Sequence, residues 1–247
     1  MIKILAIGNS FSQDATVYLH DIASSAGVES KVVNLYIGGC SLERHNQNID
    51  EDAKAYAYEL NGDIHTGRMA SIMEALCEEE WDFVTMQQAS HFSGLPDTYY
   101  PFIFNLSEYV KKYAPNAKQV IHQTWAYEST SKHQGFVRYG NDQNMMYPAV
   151  IASYEGAAQK LGGLDIIRCG EMIQALRSDE IFDVKTGKYL ITRDGYHMNI
   201  PYGRYALSGL WFEKLMGGDI TKASFIPEGA DAFIINRVKQ YIKEFNR

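Results

Sequence analysis

Residues 3–12 read KILAIGNSFS. After the opening Lys3, the run to Gly8 is apolar, the pattern of a short strand buried on both faces. Asn9 and Ser10 interrupt it, and residues 12–26 then carry apolar residues at helical spacing. The segment therefore predicts a strand, a tight turn and a helix. A chain that begins this way begins a βα unit, and the remainder decides the fold class by repeating it or not.

It repeats it. Further strands are expected at residues 31–37 (KVVNLYI), 81–87 (WDFVTMQ), 118–124 (KQVIHQT) and 164–168 (LDIIR). Helical patterns begin at 43 and run over 68–80, 100–113, 144–161 and 203–216, with stops at Gly38-Gly39, Pro115-Asn116, Gly162-Gly163 and Gly217-Gly218. Five strands joined by helices imply an α/β fold whose five-stranded parallel sheet is covered on both faces. Residues 1–247 read as one domain, with 43–67 and 126–143 as polar, irregular excursions. In such a sheet ligands bind outside the carboxyl ends of the strands, so chemistry should follow each strand.

Composition narrows the partners. With 23 Lys and Arg against 30 Asp and Glu, the net charge is −7 and no basic run occurs. This argues against nucleic acid, which demands a basic face. No apolar run reaches membrane-spanning length. Residues 1–12 lack a small-residue cleavage site and read as a strand, not a signal peptide. Cys40, Cys77 and Cys169 form no CxxC pair, so neither a disulfide framework nor a zinc site is suggested, and all three are expected as buried thiols. No HxH or HExxH spacing occurs among the seven histidines, and no metal is implied. The 17 tyrosines exceed what a core requires and hint at a sugar- or protein-contacting surface.

Two short segments carry candidate chemistry. Ser10 follows the first strand, where backbone N–H groups of the next helix point towards it. It can serve as an exposed nucleophile, or Ser10 or Ser12 can simply cap the helix. Asp194-Gly195-Tyr196-His197 precedes the last predicted helix. An aspartate three residues before a histidine can orient the imidazole within one loop and leave its other nitrogen as a base. A serine hydroxyl needs such a base.

Taken in this order, the two segments resemble the SGNH/GDSL hydrolases. The forms GNSFS, IGGCSLERH and RDGYHMN look like a bacterial subfamily of uncharacterised function. The resemblance implies a flavodoxin-like, three-layer α/β/α sandwich and ester hydrolysis without a cofactor, by Ser10, His197 and Asp194. It also assigns the second-strand glycine of the oxyanion hole to Gly39. The third block departs from the family's Gly-x-Asn-Asp turn and reads MQQASH at 86–91. Gln88 is the expected replacement for the asparagine donor, with Ser90 as its alternative.

Other residues are weaker candidates. His91 and His122, at the ends of the third and fourth strands, are candidate substrate contacts, with core or rim packing as the alternative. Trp125 and Tyr127, after the fourth strand, are candidate stacking surfaces for a sugar ring or else core aromatics. His91 and Trp125 are the two expected to bind substrate. His20, His45, His65 and His133 read as solvated. The implied substrate is a small-molecule or glycan ester, foremost an O-acetylated carbohydrate. A lipase- or thioesterase-type acyl hydrolase and a non-catalytic α/β carbohydrate-binding module are the competing readings. A phosphate-binding module would require GxGxxG or GxxxxGK[ST], and neither is present.

Overall fold

The computed structural model describes residues 1–185 and 188–245. Its strands are β1 (Ile2–Gly8), β2 (Ser30–Tyr36), β3 (Tyr56–Leu60), β4 (Met69–Ala70), β5 (Phe83–Met86), β6 (Lys118–His122) and β7 (Asp165–Ile167). The helices are α1 (Ser10–Thr16), α2 (Leu19–Ser25), α3 (Leu42–Asp50), α4 (Ile72–Glu78), α5 (Phe102–Tyr113), α6 (Gln143–Lys160), α7 (Cys169–Leu176), α8 (Tyr202–Met216) and α9 (Ala232–Phe245).

Among the described residues the sheet has seven strands in the order β4-β3-β2-β1-β5-β6-β7. The pairs β2–β1, β1–β5, β5–β6 and β6–β7 are parallel, and β3 and β4 are antiparallel additions to the β2 edge. The expected five-stranded parallel sheet is therefore corrected to a mixed sheet of seven. The reason lies in residues 56–60, YAYEL, inside a stretch read as irregular. Tyr56 and Tyr58 alternate inward and are buried, and Leu60 pairs with Val33 of β2. A short hydrophobic alternation suffices for a strand when a neighbour supplies the ladder.

The centre of the sheet explains the continuous apolar run at the N-terminus. Ile4, Leu5, Ala6 and Ile7 of β1 are all at most 1% exposed, so both faces of the strand are covered. Helices α1 and α2 lead from β1 to β2, whereas α4 leads back past β1 into β5. Right-handed crossovers in opposite directions place these helices on opposite faces. Helices α1, α2, α8 and α9 pack as one group, and α3, α4 and α5 as another. The last of these, α9, was not expected: Ile234, Ile235, Val238 and Ile242 form its buried stripe. One thiol also departs from expectation, since Cys77 is exposed on α4 while Cys40 and Cys169 are buried.

The parallel strands thus run second, first, third, fourth, fifth. The chain reverses its direction across the sheet between β1 and β5. A crevice opens outside the carboxyl ends of strands at such a point.

Candidate active site

Asn9, not a serine, caps α1. Its Oδ1 accepts the Phe11 N–H at 2.9 Å, and Ser12 Oγ accepts the Asn9 N–H at 3.0 Å, closing a reciprocal capping box. Ser10 is therefore the first residue of the helix. Its hydroxyl is not spent on capping, and its N–H has no carbonyl four residues earlier within the helix. Asn9 also donates from Nδ2 to the Cys40 carbonyl at 3.0 Å and accepts at Oδ1 from Gln87 Nε2 at 2.8 Å. Gln87 in turn takes the ring Nδ1 of His122 at 2.7 Å. This buried chain ties the ends of β1, β5 and β6 and the β2–α3 turn to one another.

The loop of residues 191–199 forms a narrow hairpin. Thr192 and Met198 form a bridge, the Arg193 N–H donates to His197 O at 2.9 Å and the Asn199 N–H to Ile191 O at 2.7 Å. Asp194 Oδ1 accepts the His197 N–H at 2.7 Å and the Tyr196 N–H at 3.1 Å, the local bonding that aspartate favours in turns. Gly195 has φ +87°, and a Cβ there would lie 2.7 Å from Ser131 Cα, so both conformation and space call for glycine.

That turn aims the imidazole. His197 Nδ1 lies 2.7 Å from Asp194 Oδ2, and Nε2 lies 2.9 Å from Ser10 Oγ. An ionised carboxylate only accepts, so the neutral ring carries its proton on Nδ1 and leaves Nε2 to accept from the Ser10 hydroxyl. Partial burial raises the Asp194 pKa, but bonds from the His197 ring and from the backbone N–H groups of His197 and Tyr196 outweigh it and hold the carboxyl below its ordinary value. The structure thus brings Ser10, His197 and Asp194 together across 187 residues of sequence between serine and histidine.

A third element locks the two segments. Asp14 sits one turn beyond Ser10 on α1 and is fully buried. Its Oδ2 accepts the Met198 N–H at 2.8 Å, and its Oδ1 accepts from Arg193 Nη1 at 3.1 Å and from Arg204 Nε at 2.8 Å. Arg193 also donates to the Met198 carbonyl. The helix that carries Ser10 therefore holds the strands flanking the His197 turn. Sequence reading missed Asp14, whose helical spacing from Ser10 was its only signal.

Around Ser10 and His197 lies a cleft of about 470 Å³, lined also by Tyr36, Gly38, Gly39, Ser90, His91, His133, Arg138 and Tyr196. Gly39 is exposed there at φ +63°, a left-handed turn that glycine adopts without strain. His91 lines the cleft as expected, and burial pushes its pKa down to about 4. A larger cavity of about 610 Å³ lies at the amino ends of β5 and β6 and beside β7. Four of its five charged residues pair with one another, Lys118 with Asp165 and Arg168 with Glu155, Lys214 being the fifth, and no serine or histidine lines it.

Four expectations are corrected here. Gln88 is not a donor to the cleft: its Nε2 serves the Thr98 carbonyl at 2.9 Å and Oγ1 at 3.2 Å, while its Oε1 accepts the N–H groups of Leu42 at 3.0 Å and Ala89 at 2.8 Å. The extra methylene turns the amide into the β5–α5 connection and away from the cleft lining. Trp125 offers substrate no face. It is fully buried, stacks on Phe11 at 4.1 Å between centroids and donates to the Tyr196 carbonyl at 2.7 Å, bracing the His197 loop from beneath. His45 is buried and bonded to the Tyr56 hydroxyl at 2.8 Å, not solvated. His133 lines the cleft.

The Gln88 arrangement predicts a stability effect. Gln88→Ala orphans two buried backbone N–H groups and should cost about 3 kcal/mol. A urea midpoint shift of that size, with kcat of the folded protein within a few-fold of the original, is the expected result. A large loss of kcat at unchanged stability would return Gln88 to the reaction.

Comparisons with known proteins extend these observations. A family model described as a domain of unknown function, DUF4886, matches residues 3–241. The crystal structure of a DUF4886 family protein from Bacteroides uniformis is 37% identical and superposes with a TM-score of 0.90, covering 98% of this chain and 93% of that one. A protein from Slackia heliotrinireducens, itself a proposed SGNH hydrolase, is 26% identical with a TM-score of 0.59, over 87% of this chain and 99% of that one. A family 3 carbohydrate esterase from Clostridium thermocellum shares the fold at 13% identity and a TM-score of 0.55, over 87% and 96%. No curated protein sequence matches the chain. The resemblance to SGNH/GDSL hydrolases read from the motifs is thus also a resemblance of fold.

Proposed function

The chain belongs to the DUF4886 family, and from that premise we propose that it is a serine esterase that removes acyl groups, foremost O-acetyl groups from a carbohydrate. The observation that carries this reading is the continuous bonding from Ser10 Oγ through His197 to Asp194, at the carboxyl edge of β1. In the proposed reaction His197 Nε2 takes the Ser10 proton as Oγ attacks the ester carbonyl. The N–H groups of Ser10 and Gly39 receive the developing oxyanion. Ser90 supplies the third donor: its Oγ lies 2.8 Å from the Tyr127 hydroxyl, and when Tyr127 donates, the Ser90 hydrogen is left for the cleft. His197 then returns its proton to the leaving alcohol, and water repeats the sequence on the acyl-enzyme.

A sugar as the alcohol fits the cleft's lining, in which Tyr36, Tyr196, His91 and His133 alternate with polar groups and glycines. The fold is also that of a protein described as an acetyl xylan esterase, with a TM-score of 0.57 at 14% identity. We read residues 1–247 as one domain of the flavodoxin-like, three-layer kind, serving this one site. The test is incubation with a fluorophosphonate probe and with 4-nitrophenyl esters of increasing chain length. Labelling at Ser10 and turnover that favours acetate support the proposal. Turnover that favours long acyl chains would give the same machinery a lipid substrate, and neither labelling nor turnover would leave a binding module.

A further inference from the structure

We propose that Arg138 and His133 form an anion subsite beside the ester, so that the substrate carries a carboxylate next to the bond that is cleaved. This rests on the esterase reading above and names the substrate class within it.

The subsite lies in a stretch of the sequence with no regular pattern. Residues Gln134–Tyr139 form a 3₁₀ helix whose capping residue is His133 and whose last turn carries Arg138. Both side chains line the cleft that contains Ser10 and His197. The His133 ring has a fixed tautomer. Its Nδ1 accepts the Gly135 N–H at 2.9 Å, so the proton of the neutral ring is on Nε2, a donor. Burial, with His197 and Arg138 nearby, holds its pKa below the ordinary histidine value although the Asp194 carboxylate opposes this, which favours the neutral ring. It stacks at 5.8 Å and 22° on His91.

Arg138 is exposed, and its guanidinium lies 5.2 Å from the centre of the Phe92 ring. Among the described residues no carboxylate pairs with it. The contrast with the rest of the chain is the second observation. Net charge is −7, yet no aspartate or glutamate lines the cleft, and Arg138 is its one formally charged residue among those described. Asp194 stands behind His197 and is already bonded to it.

An unpaired guanidinium beside an N–H donor, in a cleft whose lining contains no acid and whose nearest named carboxylate, Asp194, is already bonded to His197, favours a planar anion. The guanidinium fork matches a carboxylate with two parallel bonds. That carboxylate can belong to the alcohol, as in an acetylated uronic acid, or to the acyl group, as in a dicarboxylic half-ester. The chemistry at Arg138 is the same for both.

Two matched ester pairs distinguish the sources. The first is 4-acetoxybenzoate against its methyl ester, with the charge on the alcohol side. The second is 4-nitrophenyl hemisuccinate against 4-nitrophenyl butyrate, with the charge on the acyl side. For each pair the ratio of kcat/KM, charged over neutral, is measured in the natural protein and in Arg138→Gln. We expect one ratio to fall roughly 10-fold in the variant, the effect of an exposed charge-assisted contact, and the natural preference to shrink at high salt. Arg138→Lys should keep part of the preference by charge alone. Which pair responds identifies the acidic partner. Ratios unchanged in both pairs overturn the proposal while leaving the esterase reading intact. Absence of turnover for all four esters, the neutral ones included, removes both.

Discussion

Ser10→Ala should leave a folded protein whose ester hydrolysis has dropped by roughly 10⁴- to 10⁶-fold in kcat, as loss of a serine nucleophile does elsewhere. The expectation of intact folding comes from the local geometry. Asn9 and Ser12 perform the capping, and the Ser10 hydroxyl is bonded to His197 alone among its described partners. Removing it orphans no buried group, so thermal midpoint and circular dichroism should match the natural protein. A correctly folded Ser10→Ala protein that still turns over 4-nitrophenyl acetate near the original rate would end the nucleophile assignment. Loss of fluorophosphonate labelling in the same variant is the complementary readout.

His197→Ala is expected to be about as damaging as Ser10→Ala, and the double variant scarcely worse than either. Serine and base act as one unit, so their effects are strongly non-additive. Asp194→Asn should lose less than His197→Ala. Asp194 only orients the ring, and the asparagine oxygen can still accept the backbone N–H groups of Tyr196 and His197 that hold the turn. Independent losses that add in free energy would show that His197 is not the base for Ser10.

The residues that the structure groups at the cleft, Ser10, Asp194 and His197, were the easiest to read, because their signals are local. GNS at the end of an apolar run and an aspartate three residues before a histidine each describe a geometry within one turn. The central strands were equally plain, since burial on both faces leaves an unbroken apolar run. What escaped depends on contacts that no local pattern carries. Gln88 looked like a displaced donor, but the Leu42 N–H that holds it lies 46 residues away, and the Thr98 carbonyl comes from the far part of its own loop. β3 and the Arg138 segment lie in stretches whose polarity resembles loop. β3 becomes regular only by pairing with β2, and Arg138 becomes informative only once a cleft exists around it. The α9 stripe was legible, with apolar residues at 234, 235, 238 and 242 at helical spacing. It lay beyond the element taken as the last.

The Asp14 carboxylate has a consequence for motion. A backbone movement that carries the 192–198 loop away from Ser10 must pull Met198 and Arg193 off a fully buried carboxylate. Stripping partners from such a charge costs about 3–5 kcal/mol, which confines detached forms of the loop to below roughly one molecule in a hundred. The backbone of the histidine loop is therefore held in place without a ligand, and under the proposed function little loop reorganisation would separate the resting protein from its reactive geometry. Selectivity must then come from the rim of the cleft, where the 3₁₀ segment and the Gly38–Gly39 turn are free of that constraint, and not from a gate that assembles the site on binding.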